Sequence, residues 1–283
     1  MPKPKLSIIL PVRQTKADHR DVRRLADCIK SLEKQTARGK FEIIVADTDS
    51  DSYYKTKHAA TCKDHKVKYL YEKTGQPWNI SRARNIGIRA AKGEFVMVTD
   101  MDCLFAPNFI ETVLCHAAAG VIVHCRIYDI PNNVSVTMDD LPRMKGISAM
   151  RPAWCYGGCQ VVSREWANAV HGYDEKYELW GADDTDFMER AVGSGMKNVW
   201  IENETSYFHQ WHDQWNRQSD IAQKDKNRAR LKLTETRQLP IVRNPHEWGC
   251  RPSENEWDDT AVIMTAFLRD ASMLRAVKSI RKF

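Results

Sequence analysis

The sequence predicts an α/β fold with a Rossmann-like, mostly parallel central sheet flanked by helices and followed by a helical C-terminal extension. Three observations predict it. Short apolar runs recur through the first hundred residues, helix-period segments separate them, and several of the runs end in proline or aspartate. Strands alternating with helices pair in parallel through right-handed crossovers.

The elements follow in order. Leu6-Ser7-Ile8-Ile9-Leu10-Pro11-Val12 reads as a buried strand stopped by a proline. Val22, Leu25, Ile29 and Leu32 recur at helical spacing, which predicts an amphipathic helix from about Asp18 to Gln35. Glu42 to Ala46 is a second buried strand ending at Asp47, and Val67 to Tyr71 a short third one. Ser81 to Ala91 reads as a helix with Ile80, Ala83, Ile86 and Ala90 along one side. Glu94 to Thr99 is a fourth strand that runs into Asp100-Met101-Asp102. Pro107 opens a helix through about Ala119, and Val121 to Ile130 returns as a strand. The polar stretch from Pro131 to Pro152 reads as a long loop of the kind that often serves as a lid. A second ordered block runs from Trp154 to about His212, and a basic helical tail follows. The expected division is a catalytic domain over 1–212 and an extension over 213–283.

Composition narrows the class. With 42% hydrophobic and 28% charged residues in 283, the chain is globular rather than disordered. No apolar stretch approaches the roughly 18 residues that span a bilayer, and the N-terminus lacks a signal-peptide core, so a cytoplasmic location is expected. The eight cysteines include no C-x-x-C pair and read as reduced thiols. His58, Cys62 and His65 are one ligand short of a structural zinc site and read as a solvated helix or loop. The net charge of +6 suits a phosphorylated donor, an anionic acceptor or a membrane surface without choosing among them. Between Arg217 and Arg243, eight Lys/Arg face three acidic residues, which reads as a solvated helix face. The apolar and basic residues of Trp257–Phe283 read as packing onto the catalytic domain, with peripheral contact at the inner face of an anionic membrane as the alternative.

Chemistry concentrates at strand ends. In a mostly parallel sheet the ligand crevice lies outside the carboxyl ends of the strands. Pro11-Val12-Arg13, Asp47 and Asp100/Asp102 all fall there, which points to a nucleotide site. Two carboxylates one residue apart after a buried strand suit Mg2+ or Mn2+ bridging a diphosphate, although an acidic turn before a helix has the same pattern. Asp183 and Asp184, at the start of a helical segment, fit either an N-terminal cap or a general base that takes the proton of an attacking hydroxyl. Trp180 beside them offers a flat face for a sugar ring. In Tyr207-Phe208-His209-Gln210-Trp211-His212, two histidines could complete a metal shell that two aspartates leave open.

These motifs, in this succession, carry a resemblance over roughly residues 5–212. Leu6–Val12, Glu42–Asp47, Ala83-Arg84-Asn85-Ile86-Gly87 and Gly93 to Asp102 closely resemble family-2 glycosyltransferases of the GT-A fold. Tyr156-Gly157-Gly158 through Ser163, Gly172-Tyr173-Asp174 and Trp180 through Asp186 resemble the C-terminal catalytic segment shared by chondroitin polymerases and β-1,4-galactosyltransferases. Tyr207-Phe208-His209-Gln210 is similar to the metal-binding histidine segment of the chondroitin polymerase group. The resemblance implies that Pro11, Val12, Arg13 and Asp47 line the nucleoside pocket and that Arg84 and Asn85 hold the donor. It implies a metal at Asp102 and His209, with Asp100 at the ribose or the metal's water, and Gly157 and Gly158 close to the donor sugar. Asp184 matches the catalytic base, with Asp183 and Trp180 on the acceptor. Three positions depart from the pattern: Asp47-Thr48-Asp49-Ser50 replaces the usual turn, Asp183 stands for a Glu, and Arg13 for an aromatic.

The implied reaction is an inverting, metal-dependent transfer from a nucleotide sugar, expected to be a UDP-sugar, to a hydroxyl on a glycan, another acceptor or a nucleic acid. A nucleotidyltransferase is the rival enzyme, but Pro11–Lys16 has no glycine for a phosphate loop. A non-catalytic nucleotide- or glycan-binding module, or a nucleic-acid binder using the basic tail, is the rival of another class. Steep salt dependence would mark the nucleic-acid binder.

Overall fold

A computed structural model describes residues 3–15, 22–75, 77–132, 134, 136, 140–153, 156–212 and 221–249. The chain opens with β1 (Leu6–Val12), buried at every residue. Its period-two pleat sends Leu6, Ile8, Leu10 and Val12 into one apolar cluster and Ile9 into the opposite one. Then come α1 (Arg23–Glu33), β2 (Phe41–Thr48), α2 (Ser52–Asp64), β3 (Lys68–Glu72), α3 (Ile80–Ala90) and β4 (Phe95–Thr99). Next are β5 (Cys103–Phe105), α4 (Phe109–His116), β6 (Val121–His124), β7 (Tyr128–Asp129), α5 (Leu141–Met144) and β8 (Ala149–Met150). The described elements close with β9 (Cys159–Ser163), α6 (Arg164–Ala169), α7 (Asp183–Gly193), β10 (Lys197–Trp200), β11 (Tyr207–His209) and α8 (Ile221–Glu235).

Seven strands form the central sheet in the order β10-β6-β9-β4-β1-β2-β3. All neighbours are parallel except β9, which runs antiparallel to both β4 and β6. One face is covered by α1 and α4, through Leu25, Ile29, Leu32, Phe109 and Val113. The other takes Ile88 of α3 with Phe187, Met188 and Ala191 of α7. A Cβ on Gly87 would run into the Ile9 side chain, so glycine lets α3 lie directly on β1. Arg84 sits one turn earlier on that helix.

A second sheet, β5-β11-β7-β8, stands beside the first. Its register sets His209 opposite Cys103 on one side and opposite Asp129 on the other. Leu104, Tyr128, Ile130, Leu141, Met144 and Phe208 form an apolar cluster of their own there.

Several predicted elements change. The strand expected over 121–130 is two strands in two sheets, because the chain leaves β6 at His124 and enters β7 at Tyr128. The polar stretch expected to be a loop contains α5 and β8, with Leu141 and Met144 buried. His58 and Cys62 lie on α2 and are buried rather than solvated. The six described cysteines are unpaired, and all but Cys115 are buried. Among the described residues no helix is long and apolar enough to cross a membrane. The tail from Trp257 and the start of the first predicted helix lie outside the described residues.

Candidate active site

The end of β4 delivers Asp102 to the junction of the two sheets. Its Oδ2 lies 3.5 Å from His209 Nε2 and 3.3 Å from His212 Nε2. The two imidazole rings stand 5.0 Å apart. The Gln210 amide donates to the Asp102 carbonyl at 2.9 Å, which ties the histidine segment to the aspartate turn. Behind His209, Nδ1 is 3.1 Å from Asp129 Oδ1, and Arg151 grips that carboxylate through two bonds of 2.6 and 2.7 Å.

This donor set fits a divalent cation. One carboxylate oxygen and two imidazole nitrogens lie within 4.8 Å of one another, a mixed oxygen and nitrogen set open to further ligands. A histidine whose second nitrogen faces a carboxylate is the outer-shell arrangement that orients metal-ligating imidazoles. The protonation states agree. Burial opposes charge on His209, but Asp102 and Asp129 outweigh it and raise its pKa to about 9. Burial likewise opposes a charged Asp102, yet His209 and His212 hold it well below the usual carboxylate range. A cation held here would displace the His209 proton. Asp100 is raised by burial and then by Asp102. The same causes push the Cys103 thiol, the third member of a group with Asp100 and Asp102, well above its ordinary value. A thiol held protonated is a poor ligand.

Asp184 occupies the neighbouring position. The helix preceded by left-handed Ala182 begins at Asp183, with no side-chain cap bond. Alanine has no side chain to give such a bond, and Asp184 Oδ1 accepts the Thr185 amide at 2.9 Å, so the acidic turn also serves the helix start. Asp183 pairs with Arg84, both buried, and the Arg84 guanidinium lies 4.8 Å from the Tyr173 ring centre. Burial pushes Asp183 up to about 6 despite Arg84, and it raises Asp184 too, with Asp100 adding to the effect. Arg84, held as a cation chiefly by Asp183, acts on Asp100 and Asp184 as well. One buried guanidinium thus links the acidic pair to the aspartate turn. Gln160 Nε2 donates to the Asp184 carbonyl at 3.0 Å, and Tyr173 Oη fixes Gln160 at 2.7 Å. A Cβ on Gly157 would stand 2.9 Å from Asp184 Oδ2, so glycine here makes room for the carboxylate. Trp180, 52% exposed, stands two residues before Ala182.

The expected donor residues divide. Pro11 and Val12 end β1 and are buried, with Arg13 half-buried beyond them. Asp47, expected on the base or ribose, has a wholly buried carboxylate. It accepts from Tyr69 Oη at 2.8 Å and from the Ser50 amide at 3.3 Å, and pairs with His58 Nδ1 at 2.8 Å. His58 Nε2 reaches Gln14 Oε1 at 2.7 Å. Asp47 therefore braces the strand end from inside. Asn85 is also internal: its amide bonds the Tyr173 amide, the Tyr173 carbonyl and Glu175 at 2.7 to 2.8 Å. That amide is spent on the 173–175 turn. A Cβ on Gly158 would collide with the Tyr207 hydroxyl, so core packing requires glycine there.

Sequence reasoning missed Asp129, Arg151 and Gln160; it named both histidines of the 207–212 segment as possible metal ligands and carried only His209 into the resemblance. The His-x-x-His spacing was the available signal for His212. Asp129 and Arg151 become partners only through the pairing of β7 with β8.

Fold and site together define a glycosyltransferase of the GT-A class. The chain belongs to glycosyl transferase family 2, which matches residues 7–167; a second match, to the N-terminal domain of galactosyltransferase, covers 145–213. Chondroitin synthase of Pasteurella multocida is 24% identical over 229 residues, covering 67% of this chain and 23% of that protein. Glycosyltransferase GlyG of Streptococcus pneumoniae is 28% identical over 108 residues, 38% of this chain and 33% of its own length. The chain thus spans about a third or less of the curated relatives it matches. Among solved structures, GalNAc-T7 with UDP, GalNAc and Mn2+ aligns with TM-score 0.60 at 16% identity, covering 86% of this chain and 53% of that one. The mannosyltransferase PcManGT of Pyrobaculum calidifontis, in complex with GDP-Man and Mn2+, aligns with TM-score 0.57 at 17% identity, covering 83% and 64%.

Proposed function

We propose that this glycosyltransferase is an inverting, metal-dependent enzyme that moves a sugar from a UDP-sugar to an acceptor hydroxyl. The observation that carries the reading is the pairing of two centres. Asp102, His209 and His212 converge on one point, and Asp184, a carboxylate raised by burial, sits beside Gly157 within the field of the same Arg84.

The acceptor oxygen attacks the anomeric carbon from the face opposite the diphosphate. A glycosidic bond forms as the bond to the leaving phosphate oxygen breaks, which inverts the anomeric centre. Asp184 accepts the hydroxyl proton, and a raised pKa makes it a stronger base. Trp180 supplies an apolar face for the acceptor ring, and Arg84 keeps Asp183 in place beneath it. Pro11, Val12 and Arg13 lie at the strand end where the nucleoside would rest, with Asp100 toward the ribose. Asp102, His209 and His212 would hold Mn2+ or Mg2+, which would supply positive charge to stabilise the departing diphosphate.

The test is binding and turnover of a nucleotide-sugar panel with Mn2+, on wild type and Asp102→Ala. UDP release that needs metal and is lost in the variant supports the reading. GDP release would change the donor class. Absence of binding to every nucleotide sugar with metal present would overturn it.

A further inference from the structure

The loop that presents Trp180 follows a backbone path that few residues adopt by choice. Leu179, Gly181 and Ala182 all lie in the left-handed region, at φ of 60°, 101° and 73°. Two of the three carry side chains that oppose this conformation. Such a path persists only where its surroundings enforce it. The next residue, Asp183, begins α7, so the path of this loop also sets where Asp184 starts.

Leu179 N–H donates to the Trp78 carbonyl at 2.7 Å, and the side-chain hold on the loop comes from α8. Asn227 is 3% exposed. Its Nδ2 reaches the carbonyls of Glu178, Trp180 and Gly181 at 2.9, 3.3 and 3.2 Å. Two N–H bonds are shared among three acceptors. Gln223 Nε2 donates to Asn227 Oδ1 at 3.0 Å, which orients the amide. The helix is itself anchored: Thr234 Oγ1 donates to Asp186 at 2.6 Å and Arg230 Nε to Asp174 at 2.7 Å. Residue 227 lies beyond both family-matched segments, which end at 167 and 213.

We propose that Asn227 is a positioning residue for the acceptor: it holds residues 178–182 in their left-handed path and so places Trp180 and the start of α7. This rests on the acceptor roles proposed for Trp180 and Asp184. It makes α8 part of the active site rather than an appendage to it.

The test compares full-length wild type, Asn227→Ala and, as a control on an exposed face of the same helix, Lys226→Ala. Amide exchange is followed by mass spectrometry across 178–184. Donor hydrolysis by water and transfer to a panel of p-nitrophenyl monosaccharides are measured with whichever nucleotide sugar wild type turns over. In Asn227→Ala, exchange in this segment should rise about tenfold, the scale of one lost hydrogen bond. The acceptor KM should rise by about fivefold or more, because misplacement loosens the acceptor. Donor KM and hydrolysis should stay within about twofold, and Lys226→Ala should match wild type throughout. Unchanged exchange in the segment would overturn the proposal, as would donor and acceptor constants falling by one common factor. If wild type turns over no donor, the transferase reading fails separately, and the exchange result alone decides whether Asn227 holds the loop.

Discussion

The two sides of the candidate site are held by different means. On the donor side, Val12 and Thr99 end strands whose backbones pair residue by residue with their neighbours, from Leu6–Phe41 to Val12–Asp47 and from Phe95–Ser163 to Thr99–Cys159. On the acceptor and metal side the strands are short, and side-chain ties carry more of the position. His209 ends a three-residue strand, the Asp184 carbonyl leans on Gln160, and the Trp180 loop is held by the Asn227 amide beside one backbone bond, from Leu179 N–H to the Trp78 carbonyl. A strand end cannot move without slipping a register, which would turn its whole apolar face outward. A side-chain tie can be lost one at a time. Substitutions on the donor side should therefore act on folding, and those on the acceptor side on chemistry.

The largest effect that would sharpen this contrast is at Asp184. Asp184→Asn should lower kcat by about 10^2 to 10^4-fold, the usual contribution of a positioned base, while donor binding and thermal stability hold. Loss of stability instead would move Asp184 to the structural side. In wild type, Asp184 must be ionised to act, and burial raises its pKa above the ordinary 3.8. Activity should therefore fall with decreasing pH, with an apparent midpoint above that value in the pH profile of kcat/KM.

Next is an exception within the acceptor half. Arg190 and Asp186 form a buried pair at 2.7 Å on α7, joined by Thr234 and Arg243. Removing one partner of such a pair costs about 3–5 kcal/mol, so Arg190→Ala should show its loss in urea unfolding. A smaller effect belongs to the outer shell of His209. Asp129→Ala should weaken Mn2+ binding by about 10 to 100-fold in calorimetry. The two glycines before β9 give the finest discrimination. Gly158→Ala meets the buried Tyr207 hydroxyl and should cost about 1–3 kcal/mol of stability through overpacking. Gly157→Ala meets Asp184 instead, and should reduce turnover with little change in stability. Equal behaviour of the two would break the comparison. Smallest of all, Lys5→Ala removes an exposed pair with Glu94 and should change stability by less than about 1 kcal/mol.

The same division governs what could be read in advance. β1, β2 and β4 were legible because each buries a short continuous apolar run, and Asp100, Asp102 and Asp184 could be singled out because they stand at the ends of ordered segments. Helix α2 was hidden: its buried residues are His58 and Cys62, which make no apolar stripe. The internal bonds of Asp47 and Asn85 were not legible, because position at a strand or helix end says nothing of where a side chain's bonds are spent. Asp129 and Arg151 lie 22 residues apart, and Asn227 lies 46 to 49 residues from the carbonyls it holds. No local pattern encodes such ties.

The reversed direction of β9 has a consequence for variation. The chain leaves the sheet at the carboxyl end of β6, by His124, and re-enters at the amino end of β9, which lies beside the carboxyl end of β4. Departure and return therefore share the ligand edge. The excursion between them supplies Asp129 and Arg151, packs Tyr128, Ile130, Leu141 and Met144 in their own apolar cluster, and ends in the two glycines beside Asp184 and Tyr207. A segment docked by both feet on one rim can be lengthened, shortened or exchanged while the strand order stays intact. Substrate range could then diverge by cassette replacement on an invariant platform, with the glycine pair as its fixed splice point.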